Sequence, residues 1–373
     1  MWVEVSESVL DNFERIKQID KSGMLSFCVE AAKHYGEAFN MAKRVSVDYS
    51  KPQTVIVAGM GGSGIGGELL KDWARDAITV PIEVNREYSL PAYANKKTLA
   101  LIVSYSGETE ESLSAFLEAL KHECMIFCVS SGGELLELAE KIGVPFLRVP
   151  IGMPPRAALP YLFSPLPIIL EKIGLVSNIS GEFPEAITIL EKLSIENSPK
   201  RPLKDSFSKT LASKISGTVP IIYGFRAYRA VAQRFKTQFN ENSKVLSKWE
   251  FFSELNHNEI VGWEEARELA KCFSVIFIRD KNEPEEIHRR IEATKEIVGS
   301  KSEKVFEVWS SGSSRLAKML STICIGDFTS VYLAILRGVD PTPVKTIASL
   351  KEKTKQSGVK EKVIRELQKI AVR

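Results

Sequence analysis

The chain has 373 residues, of which 44% are hydrophobic and 26% are charged, and its formal net charge at pH 7 is +3. This length allows two domains of ordinary size, and the composition is typical of a globular protein. The near-neutral charge, with lysine and glutamate mixed along the chain, argues against a nucleic-acid partner. No stretch is expected to provide the ~20 apolar residues of a membrane-spanning helix, so we expect no membrane partner.

The five cysteines are scattered and odd in number. Cys124 and Cys128 flank and lie within an apolar run that predicts a buried strand, so we interpret them as inert core thiols rather than a disulfide or a zinc pair. The N-terminal residues lack a cationic stretch followed by an apolar one, which argues against a signal peptide. Together these features predict a cytoplasmic protein.

The first half of the chain predicts a helical segment followed by an α/β domain. Residues 1–50 form the predicted helical segment, because apolar positions recur there at helical spacing. Over residues 51–158, near-continuous apolar runs alternate with helix-like stretches, which predicts a doubly wound parallel sheet. The predicted strands are Thr54–Ala58, Ile82–Val84, Leu99–Ser104, Met125–Ser130 and Phe146–Val149, and the predicted helices are Gly66–Arg75, Glu110–Lys121 and Gly133–Ile142.

The second half predicts a connector, another α/β domain and a tail. Residues 159–215 read as a helical connector, residues 216–338 repeat the strand–helix alternation, and residues 339–373 form a charged amphipathic tail. We expect breaks in the connector at Gly174, Gly181, Pro184 and Pro202. The predicted elements of the second domain are strands Val219–Tyr223, Phe273–Ile278 and Val305–Val308, and helices Ala227–Phe239, Pro284–Val298 and Ser313–Leu336.

Two predicted strands of the first domain each end in a turn rich in glycine, serine or threonine. Gly59–Gly67 follows the first strand, and Ser104–Thr109 follows the third. Such turns present N–H groups and hydroxyls at a helix N-terminus, where the partial positive charge attracts an anion. The pair therefore predicts a phosphate held between neighbouring loops. Its candidate ligands are Gly62, Ser63, Ser104, Ser106 and Thr109.

The first loop also satisfies the dinucleotide-binding pattern G-x-G-x-x-G. Gly59, Gly61 and Gly64 provide the glycines, and Glu83 or Glu87 stands at about the distance of a ribose-binding acid. However, additional glycines weaken the helix start, and a dinucleotide does not require a second hydroxyl-rich loop. We favour a phosphorylated small molecule and keep an NAD-dependent dehydrogenase as an alternative.

The two loops resemble the phosphosugar-binding loops of the sugar-isomerase (SIS) fold. Three further motifs resemble those of the bifunctional phosphoglucose/phosphomannose isomerases: Pro155–Pro160, Phe239–Lys244 and Glu254–Asn258. The resemblance implies an α/β fold of two doubly wound SIS domains with parallel sheets, joined by the helical connector. It also implies an isomerase that interconverts glucose 6-phosphate, and mannose 6-phosphate as well, with fructose 6-phosphate through a cis-enediolate.

The resemblance also implies roles for four residues. Glu241 would be the base that shuttles the proton, and His257 with Lys351 would open the sugar ring. Arg156 would stabilise the negative charge of the enediolate. In the family the histidine comes from the neighbouring subunit, so the resemblance implies an obligate homodimer in which His257 reaches the neighbouring subunit's site.

No metal ion and no organic cofactor are expected, because the proton-transfer route needs neither and His257 has no partner at ligand spacing. Two positions depart from the family pattern. Val344 stands where members that accept mannose substrates carry a threonine, so the glucose activity is better supported than the mannose activity. Glu108 replaces an asparagine of the second loop, and we expect its carboxylate to point outward, away from a bound phosphate.

An alternative from another class is a phosphosugar-binding regulatory protein of the same fold. Such a protein would bind its ligand without turnover and would have no use for Glu241 and His257 as a pair. An amino-sugar isomerase is a closer relative, but the N-terminal region shows no glutaminase-like cysteine.

Overall fold

The computed structural model describes residues 7–354 and 358–372. The first six residues of the predicted helical segment, and residues 355–357 and 373 of the predicted tail, therefore lie outside the description. The chain divides into two compact units. Unit 1 contains the described residues up to Ala32 together with Glu182–Pro343, and unit 2 contains Lys33–Gly181 together with the described residues from Val344 onward.

The two units contain fifteen α-helices and nine strands among the described residues. The helices are α1 (Phe13–Ile19), α2 (Met24–Val29), α3 (Ala31–Arg44), α4 (Gly61–Ala74), α5 (Glu110–Lys121), α6 (Gly133–Ile142), α7 (Leu159–Phe163), α8 (Pro165–Lys172), α9 (Ile179–Glu196), α10 (Phe207–Ile215), α11 (Arg229–Gln238), α12 (Glu285–Gly299), α13 (Arg315–Leu336), α14 (Lys345–Thr354) and α15 (Val359–Ala371). The strands are β1 (Thr54–Ala58), β2 (Ile82–Asn85), β3 (Thr98–Val103), β4 (Met125–Ser130), β5 (Phe146–Arg148), β6 (Val219–Phe225), β7 (Lys248–Phe252), β8 (Phe273–Arg279) and β9 (Val305–Trp309).

Unit 2 is built around a five-stranded parallel sheet with the order β2-β1-β3-β4-β5. The strand order reverses between β1 and β3, and the carboxyl ends of these two strands form the usual ligand-binding edge of a doubly wound sheet. β3 is buried along its whole length, which explains its continuous apolar sequence. The predicted α/β class is confirmed, and β1, β4, α5 and α6 have the predicted bounds.

Unit 1 contains a four-stranded parallel sheet with the order β7-β6-β8-β9. The sequence analysis missed β7, because this edge strand is short and mixes charged with aromatic residues. The predicted helix breaks at Gly181 and Pro184 are wrong, since α9 runs through both residues. Pro184 lies near the start of α9, where a proline removes only one backbone hydrogen bond.

Helix α13 is the core helix of unit 1. Its 22 residues are long and apolar enough to cross a membrane, which corrects the expectation that no stretch comes close to this length. However, 94% of its most apolar window is buried inside the protein, as is typical of a core helix. Its apolar character therefore follows from packing on every side.

Lys209 of α10 is fully buried in unit 1. Its ammonium group donates hydrogen bonds to the carbonyl oxygens of Leu10 at 2.5 Å, Arg201 at 2.6 Å and Pro199 at 3.0 Å. Hydrogen bonds from a charged donor are stronger than neutral ones. The ammonium thus joins the N-terminal segment and the chain that precedes α10 to the helix itself.

Lys209→Met should lower the free energy of unfolding by about 3 kcal/mol, because it leaves three buried carbonyl oxygens without their donor. Urea unfolding followed by circular dichroism measures the change. Lys214→Met, on the exposed side of the same helix, is the matched control and should change stability by less than about 0.5 kcal/mol. Equal, small effects of the two substitutions would contradict the structural role of the Lys209 ammonium.

Candidate active site

The first loop begins where β1 ends and α4 begins. Met60 occupies the N-cap position of α4 and makes no side-chain capping hydrogen bond. Gly61 has φ +51°, a conformation that favours glycine. A helix N-terminus without a side-chain cap leaves N–H groups to bind another acceptor, and the helix dipole makes a negatively charged one favourable.

Gly62 allows close packing at this N-terminus. A Cβ atom at Gly62 would lie 2.8 Å from the carbonyl oxygen of Pro155 and 3.2 Å from the Cα of Arg156. Backbone atoms cannot easily move away from such a contact. The absence of a side chain therefore lets the segment that carries Arg156 pack directly on the first turn of α4, where Arg156 is buried.

Ser63 joins the two loops. Its hydroxyl oxygen accepts a hydrogen bond from the backbone N–H of Tyr105 at 3.2 Å. Within the second loop, the hydroxyl of Ser104 donates to the hydroxyl of Thr109 at 3.1 Å and accepts from the N–H of Gly107 at 3.1 Å. The structure thus brings three of the predicted ligands, Ser63, Ser104 and Thr109, to the same edge of the sheet.

Ser106, the remaining hydroxyl of the second loop, is exposed, and its oxygen accepts the backbone N–H of Glu108 at 3.2 Å. Gly107 has φ +71°, and a Cβ atom there would lie 1.9 Å from the carbonyl oxygen of Gly132. Only glycine lets the loop after β3 approach the loop after β4 this closely.

Tyr105 connects the second loop to the chain segment that leads to Arg156. Its phenol donates to the carbonyl oxygen of Pro150 at 3.0 Å and accepts from the N–H of Met153 at 2.9 Å. Burial raises the pKa of this phenol, so it remains a neutral hydrogen-bonding group. The sequence analysis missed Tyr105, because nothing in the Ser-x-Ser motif indicates where the intervening side chain points.

Glu108 is directed away from the loop interior. Its carboxylate accepts the backbone N–H of Glu134, at the start of α6, at 3.0 Å and forms an ion pair with Lys360 of α15. Although partial burial raises the pKa of the carboxyl, these two partners lower it overall. The side chain is 42% exposed, which confirms the expected outward orientation.

Glu241 lies in unit 1 and is half-buried in the π-helical turn Phe239–Ser243, which continues α11. The amide of Asn242 donates to the hydroxyl of Ser330 at 2.9 Å, and the hydroxyl of Ser243 donates to the carbonyl oxygen of Ser330 at 2.6 Å. Core helix α13 therefore holds this turn. Single π-helical turns within α-helices occur frequently at functional sites.

His257 also lies in unit 1, on the 3₁₀ turn Glu254–His257, and is exposed. The residues before it are anchored, since Leu255 is fully buried and the amide of Asn256 donates to the hydroxyl of Thr294 at 2.8 Å. The backbone beside His257 is therefore fixed while the imidazole faces solvent.

Lys351 is exposed on α14 and belongs to unit 2. Unit 2 thus carries the two loops, Arg156 and Lys351, whereas unit 1 carries Glu241 and His257. Within the described part of the chain, no three or more histidine, cysteine, aspartate or glutamate residues are grouped so that they could hold a metal ion.

The chain is similar to known sugar isomerases. Residues 204–354 match the family model for the bacterial phospho-glucose isomerase C-terminal SIS domain. The bifunctional phosphoglucose/phosphomannose isomerase of Caldicellulosiruptor bescii is 39% identical over 85% of this chain and 94% of its own length. This chain belongs to the bifunctional phosphoglucose/phosphomannose isomerase family. The family's protein from Thermoplasma volcanium is 36% identical over 82% of this chain and 93% of its own length.

The fold of this family member also matches solved structures. A glucose-6-phosphate isomerase from Chlamydia trachomatis superposes with a TM-score of 0.69, at 12% identity, over 94% of this chain and 84% of that one. Membership of the phosphoglucose/phosphomannose isomerase family favours the phosphosugar interpretation of the two loops over the dinucleotide interpretation. In this family member the first loop nevertheless retains every glycine of the dinucleotide pattern. The pattern alone therefore does not distinguish a dinucleotide-binding loop from a phosphosugar-binding loop.

Gly62→Ala should raise the Kd for fructose 6-phosphate by about tenfold or more, because the new Cβ forces apart the start of α4 and the segment that carries Arg156. Isothermal titration calorimetry measures the Kd, and thermal unfolding is recorded in parallel. Gly66→Ala is the matched control in the same helix, since its Cβ would lie at an ordinary 3.5 Å from the nearest atom. Equal effects of the two substitutions on the Kd would contradict this role of Gly62.

Proposed function

We propose that this protein is a metal-independent aldose–ketose isomerase that interconverts glucose 6-phosphate and fructose 6-phosphate, and also mannose 6-phosphate and fructose 6-phosphate. The supporting observation is the hydrogen bond between Ser63 and the backbone of Tyr105, which joins the glycine-rich loop after β1 to the hydroxyl-rich loop after β3 at the carboxyl edge of the sheet. It occurs in a chain that is 39% identical to a bifunctional isomerase over 85% of its length.

The loops of unit 2 bind the substrate phosphate in this proposal. Hydroxyl groups and backbone N–H groups are the ligands, and they carry no charge of their own. The helix dipoles of α4 and α5 supply the positive potential. Glu108 does not oppose binding, because Lys360 and the start of α6 already compensate its carboxylate. The proposed phosphate ligands are Gly62, Ser63, Ser104, Ser106 and Thr109.

The chemical steps move protons and leave the overall oxidation state of the sugar unchanged. His257 and Lys351 open the ring by moving a proton from the C1 hydroxyl to the ring oxygen, as the bond between C1 and that oxygen breaks. Glu241 removes the proton from C2 of the open aldose, which gives the cis-enediolate, and returns a proton to C1. Arg156 stabilises the enediolate charge with its guanidinium, whose burial beside α4 strengthens the electrostatic interaction. The hydroxyl on C2 loses its proton and the oxygen on C1 gains one, so C2 becomes the carbonyl carbon and C1 the hydroxyl-bearing carbon.

We further propose that the enzyme is an obligate cytoplasmic homodimer, in which His257 of each chain serves the site of the other. The exposure of His257 supports this arrangement. An imidazole that transfers a proton to a bound sugar works best where water is excluded, and a partner surface would exclude it.

Wild-type protein in excess EDTA should convert fructose 6-phosphate to glucose 6-phosphate. Glu241→Gln should lower kcat by at least about 10³-fold, because the amide cannot accept the proton, and should change substrate affinity little. Separate coupled assays follow glucose 6-phosphate and mannose 6-phosphate. Glu264→Gln, an exposed position of the same unit, is the matched control and should retain the wild-type rate.

The outcomes of this experiment separate the alternatives. Formation of glucose 6-phosphate alone would limit the proposal to the glucose reaction and make Val344 the first residue to replace by threonine. Binding of fructose 6-phosphate without turnover of wild-type protein would instead identify a phosphosugar-binding regulatory protein. Near-normal turnover by Glu241→Gln would show that another group is the base.

A mixture of two inactive variants should regain activity if His257 serves the neighbouring site. In a heterodimer of Glu241→Gln and His257→Ala chains, one site combines the intact Glu241 of one chain with the intact His257 of the other. Co-refolding at equal concentrations should restore about one quarter of the wild-type activity, because half of the random dimers are mixed and each has one intact site. Without such restoration, both residues would belong to the site of the same chain.

A further inference from the structure

Lys244 closes the π-helical turn that carries Glu241. Its φ is +55°, in the left-handed region that a lysine rarely adopts. Its backbone N–H donates to the carbonyl oxygen of Phe239, the first residue of the turn. This conformation is unfavourable for a lysine, so the surrounding structure must impose it.

The side chain of Lys244 folds back onto the turn. Its ammonium group donates to the carbonyl oxygen of Glu241 at 2.5 Å and to the carbonyl oxygen of Pro341 at 2.8 Å. Both hydrogen bonds have a charged donor and are therefore stronger than the neutral bonds of an ordinary helix end. The backbone of Glu241 is thus bonded directly to a chain segment that follows α13.

The turn is consequently held from two sides. The side chains of Asn242 and Ser243 bond to Ser330 of α13, whereas Lys244 bonds the carbonyl of Glu241 to Pro341. A displacement of about 1 Å at a reacting group can cost about 100-fold in rate. The position of a carboxylate depends on its backbone. The hydrogen bond from the ammonium group to the Glu241 carbonyl oxygen should therefore affect the rate of the proton transfer.

We propose that Lys244 is a positioning residue for the base Glu241: its ammonium group, bonded to the carbonyl oxygens of Glu241 and Pro341, fixes the backbone from which the carboxylate reaches the substrate. This inference rests on the proposed function. Lys244 acts through Glu241 and leaves substrate binding to the loops of unit 2. Pro341 stands ten residues before Lys351 in the chain, so the same ammonium also bonds the segment that leads into α14.

The test compares kcat and KM for fructose 6-phosphate in Lys244→Met, Lys244→Arg and wild type. Methionine has a similar length and keeps the backbone strain, but it has no donor. Lys244→Met should lower kcat by about 10- to 100-fold and change KM by less than about threefold. Lys244→Arg retains the charged donors and should recover at least about a third of the wild-type kcat. A residue that serves stability alone would not give this split between kcat and KM.

Lys236→Met is the matched control. It removes the same charge from α11, a short distance before the turn, where the described residues provide no side-chain partner for the ammonium. It should retain the wild-type kcat. If Lys244→Met does not fold, Lys244→Gln takes its place in the same comparison, and failure of both variants to fold would overturn the proposal by making Lys244 a stability residue.

The proposal is overturned if Lys244→Met keeps a kcat within about threefold of wild type, or if Lys244→Arg recovers none of the lost rate. These outcomes are distinct from a failure of the isomerase function. Absence of turnover by the wild type, or near-normal turnover by Glu241→Gln, would contradict the isomerase or its base before Lys244 is tested.

Discussion

A single hydrogen bond, from the N–H of Tyr105 to the hydroxyl of Ser63, joins the N-terminus of α4 to the loop after β3. The proposed phosphate-binding region of unit 2 is built around this contact. The phenol of Tyr105 holds the segment before Arg156, and Gly62 lets that segment pack on α4. The glycine-rich loop after β1 and the hydroxyl-rich loop after β3 are therefore connected through Tyr105 to the segment that leads to Arg156.

The negative charge of the second loop is compensated by a lysine of α15. The second loop contains the carboxylate of Glu108, which would oppose a bound phosphate if it faced inward. Lys360 pairs with it, and Lys360 belongs to α15, a helix fixed by Val363 and Leu367 in the hydrophobic core formed with α5 and α6. Helix α15 thus contributes to the second loop, because its Lys360 carries the positive charge that holds the Glu108 carboxylate away from the loop interior.

Local sequence signals predicted some parts of this structure and missed others. Continuous apolar runs located β1 and β4, and the chemistry of glycine, serine and threonine located both loops, because these signals are local. The π-helical turn Phe239–Ser243 was not predicted, since its shape depends on hydrogen bonds to Ser330, which is distant in sequence. Similarly, α4 begins at Gly61 instead of Gly66, because close backbone packing favours glycines there that helix propensity disfavours.

The way in which Glu241 is held has a physical rationale. In a regular α-helix, the hydrogen bonds of the helix itself set the backbone position of each residue. A π-helical turn interrupts that hydrogen-bond pattern, and other elements must supply the missing constraints. Here α13 supplies them through Ser330, and Lys244 supplies them through its ammonium group. The position of the proposed base is consequently set by the core of unit 1, whereas the proposed phosphate ligands are positioned by the sheet edge of unit 2. Substitutions in one unit or the other should therefore separate substrate binding from proton transfer.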